Sequence, residues 1–180
     1  MIADSAVTAR VPNRGVRPSS LACLLRFLCR HWLFGANAGL LVFATLPILA
    51  PILGAAGLEG ISQTIFVLYS VTCHQMPSRS FFILGHQMPY CERNTAIYLS
   101  MAAAGLVYAR LRPHGLRPLP WRWYIVLILP MAVDGFTQLF GWRESTWLLR
   151  VVTGTLFGIA SVWLAFPYLQ ESFEEIEREL

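Results

Sequence analysis

Apolar residues run through this chain in long blocks, several of them near the length a bilayer demands, about 20 residues at 1.5 Å rise each. The first block extends from Trp32 to Leu58 without a charge. A second, Asn94 to Tyr108, is shorter and is closed by Arg93 and Arg110. A third covers Trp123 to Phe140 and a fourth Trp147 to Leu169. Ile61 to Thr72 is too short to cross and predicts a half-helix or interfacial helix. The pattern therefore predicts an all-α integral membrane bundle of about four transmembrane helices, with one short partial or interfacial helix and a polar loop.

The ends read differently. Residues 1–18 are polar and arginine-bearing and predict a flexible cytoplasmic tail. From Ser19, the leucines at 21, 24, 25 and 28 share one helical face and predict an interfacial helix feeding the first span. A single transmembrane domain is expected over 19–169, followed by an acidic, solvated helical tail over 170–180. The first block begins too late and runs too long for a secretory signal. Two small-xxx-small pairs, Gly35 with Gly39 and Gly154 with Gly158, predict close helix approach. Pro47, Pro51 and Pro130 fall inside spans, where kinks are expected.

Composition supports the membrane reading. The chain is 56% hydrophobic and 13% charged, and its 14 basic residues are all arginines. They are dispersed, with no basic run interleaved with aromatics, so a nucleic-acid partner is excluded from the reading. Across four crossings, most of the arginines, Arg110, Arg112, Arg117 and Arg122 among them, fall on one side, whereas Arg79, Arg93 and Arg143 fall on the other. The positive-inside rule then puts both termini in the cytoplasm of a cell with an inner (cytoplasmic) membrane, and the loop from Cys73 to Cys91 at the outer face.

That loop, CHQMPSRSFFILGHQMPYC, carries the candidate chemistry. Cys73, His74, His86 and Cys91 are of ligand types that zinc or another transition metal accepts, although adjacent Cys and His seldom share one ion. A disulfide and two packed thiols are the alternatives, and the spacing leaves all three open. The topology brings Cys73 and Cys91 toward one membrane face. Asp134 and Arg150 sit in apolar surroundings where a lone charge is costly, and counting from the turn at 141–146 puts them within reach of each other. A structural polar network of Asp134, Gln138, Arg150, Arg93 and Asn94 is expected, with Thr153 able to join. It would fix helix register rather than form an ion path.

The segments CHQMPSRSFFILGHQMPYCERNTAIYLS and DGFTQLFGWREST, with the following LLR and TGTLFG, resemble an uncharacterised bacterial family of small multipass membrane proteins known as a domain of unknown function. The resemblance covers about half of the chain, from Cys73 to Gly158. It implies a C-H-Q-x-P-x-R-S-F-F stretch and a later cysteine pair, and Asn94 stands where the second cysteine of that pair belongs. On that footing a four-ligand zinc site is disfavoured here, and the resemblance brings no activity with it.

Three functions follow as expectations. The first is a noncatalytic accessory or scaffold subunit of a larger membrane complex, with the bilayer and other membrane subunits as partners. The second is a metal-binding or redox membrane protein centred on Cys73, His74, His86 and Cys91. The third is a small transporter or membrane enzyme using Asp134 and Arg150. No nucleophile–base motif, phosphate loop or nucleotide fingerprint supports an enzyme, and no catalytic residue or cofactor is assigned.

Overall fold

The computed structural model describes residues 20–179; the expected tail at 1–18 and its arginines lie outside the described residues. The elements in order are α1 (Ser20–Ala55), α2 (Glu59–Tyr69), a 3-10 turn (Pro77–Arg79), β1 (Ser80–Ile83), β2 (His86–Cys91), α3 (Glu92–Leu111), a second 3-10 turn (Arg112–His114), α4 (Trp121–Leu139) and α5 (Trp147–Glu179). The described residues are mostly helical, with one small two-stranded sheet among them.

Two helices among the described residues, α1 and α5, are long and apolar enough to cross a membrane. Four were expected. Both α3 and α4 fall short because the short apolar stretch of α3 is flanked within the helix by Glu92, Arg93 and Arg110, and α4 carries Arg122 and Asp134.

The long helices alternate in direction. The start of α1 meets the end of α5: Trp32 Nε1 donates to Gln170 Oε1 at 3.0 Å, and Arg30 pairs with Glu177 at 3.2 Å. At the other end Arg150, in the first turn of α5, pairs with Glu92, in the first turn of α3, so those two run parallel. Between them α4 runs the opposite way, from Leu119, whose N–H reaches the Trp163 carbonyl at 3.1 Å, to Asp134 beside Arg93. Trp32, Leu33, Ala104, Tyr108, Val162 and Phe166 form the core at the first end, and Ala50, Ile65, Tyr69, Cys73 and Tyr90 form a second core at the other.

The interfacial helix expected from Ser19 and the first span are one continuous helix, and the acidic C-terminal stretch continues α5 without a break. That stretch is anchored rather than free, because Gln170 is buried against α1. Pro47, Pro51 and Pro130 lie inside helices. Proline at 47 withholds the N–H that would bond the Phe43 carbonyl, and Tyr69 Oη donates to that carbonyl at 3.0 Å instead. A helical irregularity of α1 is thereby tied to α2.

The expected polar loop is a β-hairpin, which corrects the all-α reading. Ile83 faces His86 across a two-residue turn in which Leu84 (φ 52) and Gly85 (φ 81) both take the left-handed conformation. Two such residues make a turn whose twist matches that of the strands.

Of the two glycine pairs, one is used. Gly35 and Gly39 have open space around them, whereas a Cβ on Gly154 would lie 2.7 Å from the Arg93 carbonyl oxygen and 3.2 Å from Ala96 Cβ. Backbone on backbone cannot yield as a side-chain tip can, so α3 and α5 meet there only because position 154 is glycine. Gly154→Val is expected to destabilise the protein by about 1–3 kcal/mol through overpacking, and Gly35→Val much less, measured by thermal unfolding in detergent. Equal losses at the two positions would refute this packing.

Candidate functional site

One end of the bundle collects the polar residues. The turn between α4 and α5 leads into the first turn of α5, α3 starts beside it, and the hairpin packs against α1. Asp134 is 1% exposed on α4, the sole buried residue of that helix. A carboxylate so placed must be neutralised locally. Arg93 of α3 pairs with its Oδ2, Arg143 donates to Oδ1 at 2.6 Å, and Ser145 Oγ donates to Oδ2 at 2.8 Å.

Arg150 was expected to face Asp134. It pairs instead with Glu92 at 2.9 Å and donates from Nη2 to the Ser145 carbonyl at 2.5 Å. The two charges are linked through Ser145, whose hydroxyl serves the acid and whose carbonyl serves the arginine. Both Glu92 and Arg143 were missed because each lies just outside an apolar block and reads as an ordinary flanking charge. Thr153 does not join, since its hydroxyl bonds back to the Leu149 carbonyl at 2.7 Å. Asn94 Nδ2 donates to the Thr72 carbonyl at 3.1 Å, and Gln138 Nε2 has no partner among the described residues.

The second cluster is the thiol pair. Cys73 follows α2, and Cys91 ends β2 at the N-cap position of α3. The hairpin folds the chain back, so that the backbone N–H of Cys91 donates to Cys73 Sγ at 3.2 Å. Both cysteines are free thiols. A hydrogen bond from the Cys91 thiol is the main cause that brings the Cys73 pKa down to about 6; backbone N–H groups of Gln75 and Cys91 and the nearby His74 add to it, against the opposing effect of burial. The Cys91 thiol is pushed up by the same bond and by its burial. The N-terminus of α3 also favours an anion at this point.

His86 is not with them. Register places it at the turn end of β2, about 16 Å along the strand from Cys91 at ~3.3 Å per residue. There its Nδ1 lies 3.1 Å from the Leu84 carbonyl oxygen and its ring lies against Gly54. The four-residue ligand set Cys73, His74, His86 and Cys91 is thus split by the hairpin, and among the described residues no three His, Cys, Asp or Glu side chains are grouped to hold a metal.

The two clusters share a cavity of about 380 Å³. Cys73, His74 and Cys91 line one part of it, and Arg79, Arg93, Asn94, Gln138 and Arg150 another. A reduced thiol pair and a group of cationic and amide donors therefore border one space.

The family described as predicted membrane protein (DUF2085) matches residues 73–164, about half of the chain, from the first cysteine of the hairpin region into α5. An uncharacterized protein of Methanocaldococcus jannaschii is 41% identical over 112 residues, 62% of this chain and 72% of that protein. Another uncharacterized protein, from Methanothermobacter thermautotrophicus, is 42% identical over 87 residues, 48% of this chain and 78% of that protein. Both are archaeal, which corrects the expectation of a bacterial family. No solved structure matches the chain.

Removing one member of a buried ion pair strands its partners, at a cost of about 3–5 kcal/mol. Asp134→Ala is expected to lose that much in denaturation experiments in detergent. Adding Arg93→Gln should recover part of it, because the stranded cation is then gone, whereas adding Arg150→Gln should only deepen the loss. Additive losses for Asp134→Ala with Arg93→Gln would count against the pairing described.

Proposed function

Starting from the premise that this chain belongs to the DUF2085 family of predicted membrane proteins, we propose that it is a multipass protein of the cytoplasmic membrane carrying a reactive dithiol at the outer end of its bundle. Crossing by α1 and α5 is supported by their length and apolar character. The alternating directions of the long helices favour α3 and α4, which fall short of that measure alone, as crossings beside them. In α4, Ile125, Val126, Leu129, Val133 and Phe136 are exposed, as lipid contact requires. Arg110, Arg112, Arg117, Arg122 and Arg178 gather at the end opposite the thiols, which favours that end, with both termini, as cytoplasmic.

The observation that carries the thiol reading is the 3.2 Å contact of Cys73 Sγ with the Cys91 N–H at the cavity wall. Thiolate is the nucleophilic form, and the lowered pKa of Cys73 favours it near neutral pH. In the proposed exchange the Cys73 thiolate attacks one sulfur of a disulfide R–S–S–R, forming a Cys73–S–S–R bond and expelling RS⁻. The Cys91 thiol then gives its proton to a leaving thiolate and attacks the Cys73 sulfur, expelling the second. The product is a Cys73–Cys91 disulfide, and the two electrons have passed to the substrate. While Cys73 is a thiolate it holds the Cys91 proton; once its charge is consumed, that hold is lost.

A noncatalytic accessory or scaffold role in a larger membrane complex is the second reading. It is favoured by α4, which buries Asp134 alone and turns its apolar side chains outward. Ion pairing of both Asp134 and Arg150 favours a structural role for them over a transport path.

Cys23, near the start of α1, is an exposed thiol. In a Cys23→Ser background, a membrane-impermeant maleimide is expected to label Cys73 in intact cells. As pH falls through about 6 the thiolate becomes protonated, so the labelling rate should fall to half near that pH rather than near the ordinary value of 9.0. A small disulfide should give an internal Cys73–Cys91 bond in the wild type and a trapped mixed disulfide in Cys91→Ser, both read by peptide mass. Labelling only after permeabilisation, or a half-rate near the ordinary value, would defeat the proposal.

A further inference from the structure

Positive charge is in excess around the same cavity. Three arginines, Arg79, Arg93 and Arg150, line it, and they outnumber the Cys73 thiolate on the same wall. The carboxylates nearby, Asp134 and Glu92, are buried outside the lining and are held by Arg93, Arg143 and Arg150, and Glu144 is exposed on the turn beside Arg143. Arg79 is half-buried on the cavity wall, and its guanidinium has neither an ion pair nor a hydrogen bond among the described residues. Chains rarely leave a half-buried guanidinium without an acceptor beside further cations, because each cation raises the cost of the next.

A second observation is independent of the charge count. Among the described residues three buried nitrogen donors lack any acceptor: Nε of Arg93, Nε of Arg150 and Nε2 of Gln138. Arg150 is 7% exposed. All three residues line this one cavity. Buried donors are normally satisfied, so orphans on three residues of one wall show a cationic and amide cluster that is short of acceptors.

We propose that this cavity is a binding site for a tetrahedral oxyanion of the phosphate class, held by Arg79, Arg93, Arg150 and Gln138. These side chains come from four segments: the 3-10 turn before β1, α3, α5 and α4. Donors that approach from several directions suit an acceptor with oxygens on every side, whereas a planar carboxylate offers one edge to one guanidinium fork. At about 380 Å³ the space exceeds a bare phosphate and admits an attached organic group. Free phosphate, a phosphate ester and the headgroup of a phospholipid share this chemistry. The site goes beyond the thiol reading, since it needs no exchange at Cys73.

The test is calorimetric titration of the purified full chain in zwitterionic detergent, first with inorganic phosphate and then with short-chain phosphatidylglycerol. Saturable binding of either is expected, at least tenfold weaker in Arg79→Gln and unchanged in Arg122→Gln, which removes a cation from the far end. Binding of phosphate identifies a soluble source, and binding of the lipid alone identifies a headgroup; the site stands in both cases. Arg79 is in no ion pair, so its loss leaves the Asp134 network intact. Cys73→Ser removes an anion from the same wall and should retain or strengthen the binding, so a failure of thiol labelling and a failure of anion binding are read separately. Absence of binding for both probes, or equal affinity in Arg79→Gln, overturns the proposal.

Discussion

A single buried carboxylate organises the polar end of this protein. Asp134, 1% exposed on a helix that buries nothing else, is costly to hold in apolar surroundings without partners, and the partners come from different parts of the chain. Arg93 brings the start of α3 to it, while Arg143 and Ser145 bring the turn that leads into α5. Ser145 passes the constraint on, because its carbonyl holds Arg150, which in turn holds Glu92. Three helices are thereby fixed in register at one end by charge and hydrogen bonds, in a region where lipid would supply no hydrophobic force between them.

Close backbone contact completes what the charges begin. Parallel α3 and α5 approach over Gly154 and Gly158, and the same contact sets the start of α3 relative to the network. Since Cys91 is the residue before α3, the position of that helix also sets the thiol pair. The hairpin closes the loop: its two-residue turn returns the chain so that Cys91 meets Cys73, with Tyr69 and Tyr90 packed beneath them. The cavity is thus a consequence of three independent structural devices, an ion network, a glycine contact and a hairpin.

The opposite end is built on different terms. Trp32 packs against Phe166 and Phe173 and donates to Gln170, which is itself bonded to Glu174. These contacts carry α5 well past its apolar block and give the acidic C-terminal stretch a packed inner face. The distribution leaves arginine-rich turns at this end and the thiols at the other, an asymmetry that a membrane can read.

Apolar block length and the positions of breaking residues determined the helices at the level of sequence. Each block became a helix, and Ile61–Thr72 gave the short α2, because those features depend on near neighbours alone. Asp134 and Arg150 were legible as costly charges for the same reason. Which charge meets which was not, because the partners Arg93, Glu92 and Arg143 lie at or beyond block ends, where a sequence offers many equivalent choices. The hairpin was hidden because Leu84–Gly85 lacks the asparagine or aspartate that commonly marks a two-residue turn, and so the split of His86 from Cys91 was hidden too. The choice of Gly154 over Gly35 was likewise invisible, since both pairs have the same spacing and only the packing of α3 distinguishes them. Local physics is written in the order of residues; pairing across the bundle is decided by which arrangement neutralises every buried charge at once, and that exists only in the folded chain.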